Sequence, residues 1–82
     1  MQKNTTKRNT PAFEAEKSIF ATNLRECMKA KGENQTTLAK KIGVKRQTVS
    51  LYMNGQSSPN TETLTDIANA LDVSADYLLG LS

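Results

Sequence analysis

The segment that most constrains this chain is Gln35–Asn54, where two short amphipathic stretches are separated by a few residues around Gly43. Gln35–Ile42 carries Leu38, Ala39 and Ile42 on one side, at helical spacing. Arg46–Asn54 carries Val49, Tyr52 and Met53 on one side in the same way. Asn34 is a good N-cap for the first stretch, and Asn54-Gly55 ends the second. Two such helices can pack at a steep angle only if the first has a small residue at the crossing, and Ala39 is there. The turn must reverse the chain quickly, often through positive φ, which Gly43 permits. The second helix needs an inward β-branched anchor, and Val49 supplies it, with Val44, Tyr52 and Leu38 completing the buried side.

The rest of the chain is punctuated the same way. Phe20, Leu24, Cys27 and Met28 recur at helical spacing within Ser18–Lys31, and Gly32 stops that helix. Asn60 caps a fourth helix over Thr61–Leu71, with Leu64, Ile67, Ala68 and Leu71 at i, i+3, i+4 and i+7. Ser74 caps a last one over Ala75–Leu79, after the short connection Asp72-Val73. The loop Gln56–Pro59 separates the third and fourth helices. No alternating strand pattern is present. Residues 1–17 read as a polar N-terminal arm, with Thr10-Pro11 as a helix start. Whether a helix begun there runs into the next or breaks near Ser18 stays open. The expected fold is all-α with five helices over residues 18–82, a single small domain.

Composition removes several function classes. The chain has no His and one Cys, Cys27. A zinc site needs about four ligands and a disulfide needs a second thiol, so no metal site and no cofactor is expected. Without His there is no Ser-His or Cys-His nucleophile pair, and an enzyme is the least favoured class. Cys27 reads as a small apolar core residue. No apolar run approaches the ~20 residues of a membrane span, and the polar start lacks a signal segment. The expected location is cytoplasmic, with no membrane partner.

Net charge is +3 but unevenly spread. Residues 1–55 carry all 11 Lys and Arg against four acids, a surplus of +7, whereas residues 56–82 carry four acids and no base. One face should be electropositive, and a polyanion is its natural partner.

The run Asn34-Gln35-Thr36-Thr37-Leu38-Ala39-Lys40-Lys41-Ile42-Gly43-Val44 resembles the opening of the helix-turn-helix of the Cro/CI-type repressor family, also called the XRE family. The likeness continues through Val49-Ser50, Asn54-Gly55 and Pro59 to Leu64, Ile67-Ala68, Ala70-Leu71, Val73-Ser74 and Tyr77-Leu78-Leu79-Gly80. It implies a five-helix, lambda-repressor-like bundle whose third helix enters the DNA major groove. On a helix from Arg46, the outward positions are Arg46, Gln47, Ser50, Leu51 and Asn54. Arg can bond guanine O6/N7 bidentately, Gln adenine N6/N7, and Leu51 can pack on a thymine methyl. The base-contacting candidates are therefore Arg46, Gln47, Ser50 and Leu51. The resemblance places Gln35 and Asn54 on the DNA backbone; Lys45 and Lys40 are added as weaker backbone candidates, with ordinary solvated charge as the plain alternative for Lys40 and Lys41.

Two positions depart from the family pattern. Lys45 stands where Ser or Thr usually caps the third helix, which forfeits about 1 kcal/mol and sets a cation against the positive end of the dipole. Met28 and Met53 replace an Arg–Glu ion pair between the first helix and the end of the third, and should touch. The expected function is a sequence-specific regulator of double-stranded DNA, a repressor acting as a homodimer on an inverted repeat. The apolar end Tyr77-Leu78-Leu79-Gly80-Leu81 is a candidate dimer contact, unless Leu78 and Leu79 simply close the bundle. The alternatives are an antitoxin, which would bind a second protein, a protein-interaction module that keeps the fold, and the DNA-binding portion of a longer repressor.

Overall fold

The computed structural model describes residues 12–81, with side chains from Ile19 onward. Five helices follow one another: α1 (Ala12–Lys31), α2 (Gln35–Ile42), α3 (Arg46–Met53), α4 (Thr61–Leu71) and α5 (Ala75–Leu78). No strand occurs among the described residues. The all-α, five-helix expectation is met. The question left open near Ser18 is answered, because α1 is one unbroken helix of 20 residues. Its first half is rich in Ala, Glu and Lys, which favour helix, and holds no Gly or Pro to break it. The Thr10-Pro11 start lies outside the described residues.

The helix stops work as the sequence implies. Gly43 takes φ 75°, and its N–H and that of Val44 both bond Ala39 O, at 2.9 and 3.1 Å. This is the left-handed stop that lets α2 and α3 meet across so few residues. Asp72 performs the same reversal at the end of α4 with φ 58°, the one non-glycine residue at positive φ among those described. α3 and α5 each end one residue earlier than expected, with Asn54 and Leu79 as C-caps.

The core is a single cluster built from all five helices. Phe20, Leu24, Cys27 and Met28 come from α1, Leu38 and Ala39 from α2, Val49 and Tyr52 from α3, Ile67, Ala68 and Leu71 from α4, and Leu78 from α5. Six of its side chains lose essentially all contact with water: Leu24, Leu38, Val49, Ile67, Leu71 and Leu78. Fully burying such a side chain is worth about 1.5–3 kcal/mol, which is how helices of eight residues or fewer stay folded here. Phe20 meets Tyr52 edge to face, with ring centroids 6.4 Å apart, and so seats α3 on α1. Burial also pushes the Cys27 thiol above its ordinary pKa, against a smaller opposing pull from the Lys31 charge. Leu78 closes the bundle, whereas Leu79 remains 37% exposed.

Candidate nucleic-acid interface

The site is built on α2 and α3, which pack closely through Leu38, Ala39, Val49 and the half-buried Ile42 and Val44. Burying Val49 and Tyr52 turns the opposite side of α3 to solvent. Arg46 and Gln47 are exposed, Ser50 is half-buried and Leu51 is 39% exposed. At 100° per residue, Arg46, Gln47, Ser50, Leu51 and the C-cap Asn54 lie within an arc of about 140°. That face therefore exists as read, and it carries no acid.

The two helix N-termini are treated differently. Asn34 caps α2: its Oδ1 accepts from Thr37 N–H at 2.8 Å, and Thr37 Oγ1 in turn accepts from Asn34 N–H at 2.9 Å. Asn60 and Ser74 cap α4 and α5 by the same kind of bond. Lys45 has the extended cap backbone, φ −76° and ψ 148°, but its side chain makes no cap hydrogen bond. In α3 the amide that such a side chain would accept from, Thr48 N–H, bonds Lys45 O at 2.9 Å instead, and no side chain covers the positive end of the helix.

Gln35 and Arg46 are the first residues of α2 and α3. Arg46 Nη1 donates to Gln35 Oε1 at 3.5 Å, so one base-contacting candidate and one backbone candidate are brought together. Both line an open cleft of about 510 Å³, whose wall includes Arg25, Lys29, Met28 and Met53. Met28 is buried and Met53 half-buried, and both line this cleft. Lys40 is exposed in the last turn of α2, away from the cleft lining. Lys41 is paired with Glu33, whose carboxylate also accepts from Thr37 Oγ1 at 2.6 Å. The Lys41 hydrogen bond, then the Thr37 one, hold Glu33 below the usual carboxylate range.

Two side chains on α1 were not singled out by sequence reasoning. Arg25 donates from its guanidinium to Met53 O at the end of α3. Asn23 donates to Tyr77 O at 3.1 Å and to Leu78 O at 3.4 Å, at the end of α5. Each spans 28 or more positions in the chain, and no local pattern signals such a bond. Among the described residues no cluster of three metal-ligating side chains occurs, and no helix is long and apolar enough to cross a membrane.

Residues 24–78 match the helix-turn-helix family model. The chain is 43% identical over 61 residues to the uncharacterized HTH-type transcriptional regulator YqaE of Bacillus subtilis (strain 168), covering 74% of this chain and 53% of that protein. It is 35% identical over 57 residues to the HTH-type transcriptional regulator ImmR of the same organism, covering 70% of this chain and 45% of ImmR. The chain thus spans about half the length of the curated relatives it matches. Among solved structures, it resembles the restriction-modification controller protein C.AhdI from Aeromonas hydrophila, with TM-score 0.73 and 34% identity over 78% of this chain and 97% of that one. It also resembles the hypothetical transcription factor NHTF from Neisseria, with TM-score 0.75 and 28% identity over 94% of this chain and 88% of that one. With the five helices in this order and well over half its length matched, the chain belongs to the XRE-type helix-turn-helix family.

Proposed function

We propose that this chain is a sequence-specific double-stranded DNA-binding transcriptional regulator, a repressor that binds as a homodimer. The observation that carries the reading is the outward-facing, acid-free set Arg46, Gln47, Ser50 and Leu51 on a helix whose first residue reaches Gln35. Arg46 and Gln47 are suited to base edges, and Leu51 to a thymine methyl. Gln35, Lys45 and Asn54 flank them and are assigned to phosphates, with Lys40 as an outlying contact. The surplus of bases over residues 1–55 supports a polyanion as partner. The relatives named as transcriptional regulators and the restriction-modification controller support a regulatory role.

One recognition helix reads few bases, so two copies are needed for useful specificity. Ile19, Tyr77, Leu79 and Leu81 are 45%, 41%, 37% and 72% exposed and lie at the α1–α5 end. We assign the dimer contact to that apolar face. Selection of bound duplexes from a random DNA pool tests the whole reading. An enriched inverted repeat is expected, with affinity falling steeply with salt. Weak, sequence-blind binding overturns it and favours a protein-interaction module; co-purification of a second protein favours an antitoxin.

A further inference from the structure

The last turn of α3 is accounted for one carbonyl at a time. A helix leaves its final four carbonyls in need of partners from beyond it. In α3 these belong to Ser50, Leu51, Tyr52 and Met53. Ser50 O accepts from Asn54 N–H at 3.1 Å, Leu51 O from Gln56 N–H at 2.9 Å, and Tyr52 O from Gly55 N–H at 3.2 Å. The last two bonds form the usual glycine-ended stop, with Gly55 at φ 73°. Met53 O accepts instead from the Arg25 guanidinium of α1. The second arm of that guanidinium sits 3.5 Å from Thr22 Oγ1, one turn back on α1.

Two further facts give this bond weight. The last turn of α3 has no basic residue of its own, so Arg25 supplies from another helix the cation that the negative helix end favours. Met28 and Met53 are apolar residues lining the cleft beside this bond, and apolar burial fixes no direction. The hydrogen bond does, because it needs a particular carbonyl at a particular angle.

We propose that Arg25 is a positioning residue: it pins the C-terminal end of α3 to α1 and so sets how Arg46–Asn54 is presented. This rests on the DNA-binding reading above. Arg25 is itself exposed, so the rival role is a direct phosphate contact, and the two roles predict different salt behaviour.

The test uses the full chain with Arg25→Met and Arg25→Lys. Affinity is measured across a salt series for the selected duplex and for a scrambled one, and amide hydrogen exchange is measured without DNA. For Arg25→Met the expected result is an affinity loss of about three- to tenfold on the selected duplex alone, with the salt slope unchanged. Exchange at Asn54, Gly55 and Gln56 should quicken, and Arg25→Lys should recover part of both effects. An equal loss on both duplexes with the slope reduced by about 0.9 would mean a phosphate contact and overturns the proposal. Unchanged exchange at those three amides also overturns it. If the wild-type chain shows no sequence preference, the DNA reading fails, while the exchange data still decide whether Arg25 holds the turn.

Discussion

Arg46 and Gln35 open the two helices of the reading pair, and the guanidinium of one reaches the side-chain oxygen of the other at 3.5 Å. The bond is long and solvent-exposed, so it adds little to stability. Its effect would be on orientation, because it biases Arg46 toward the rotamers that reach Gln35.

It follows that Gln35→Ala and Arg46→Ala are not additive in binding. Each should leave the stability of the free protein close to wild type, within about 0.5 kcal/mol. Each should weaken binding to the selected duplex, and the double variant should lose less than the sum, with a coupling of about 0.5–1 kcal/mol. A double-variant cycle by fluorescence anisotropy measures this; additive losses would show that the two residues act separately.

Lys45 sits at a helix start without capping it. Lys45→Ser should stabilise the free protein by about 1 kcal/mol, because it supplies a cap and removes a cation from the positive helix end. The same change should weaken DNA binding and lower the salt slope by about 0.9. Chemical denaturation and a salt titration check the two halves. Unchanged binding would sink the phosphate role of Lys45.

The Glu33 carboxylate is held low by Lys41 and Thr37, so its folded pKa lies below the unfolded one. Its contribution to stability is present above the ordinary Glu pKa of ~4.3 and is lost as pH falls through the lower folded value. Wild type should therefore exceed Glu33→Gln in melting temperature near neutrality, with the gap closing in acid. A gap that is constant with pH would contradict the pairing.

Gly80 packs where a side chain cannot. A Cβ there would lie 2.7 Å from Ile19 Cγ2, and the backbone holds φ 77°. Gly80→Ala should cost about 1–3 kcal/mol. Adding Ile19→Ala should return only the steric share, since the backbone penalty remains. Full recovery in thermal melts would show that the backbone there is not constrained.

Cys27 is buried and its thiol pKa is raised by desolvation. It should react with a thiol reagent at neutral pH only as fast as the protein unfolds. Labelling at the rate of a free thiol would place it outside the core.

Much of this molecule was legible in its residues, for an identifiable reason. Leu38, Ala39, Val49 and Ile67 announce themselves because helical periodicity and burial are local properties of a sequence. Gly43, Asn34, Asn60 and Ser74 do so because caps are local chemistry. The outward face of α3 followed by subtraction once Val49 and Tyr52 were turned inward. What local reading missed was long-range and polar. Nothing local marks Arg25 or Asn23, because the carbonyls they serve belong to helices far along the chain. The extent of α1 stayed open for a different reason: its first half lacks a clear apolar stripe, although its residues favour helix.

The two carbonyl caps on α1 have a mechanical consequence. Arg25 ties it to the end of α3, and Asn23, two residues earlier, ties it to the end of α5. The proposed DNA-reading face and the apolar end of the molecule are thus referenced to a single helix. In a dimer joined through that apolar end, the distance and angle between the two reading heads would pass through two short polar joints on one rigid helix rather than through a flexible tether. Half-site spacing would then be set as a machined dimension is set, and inserting or deleting a base pair between half-sites would cost affinity abruptly rather than gradually.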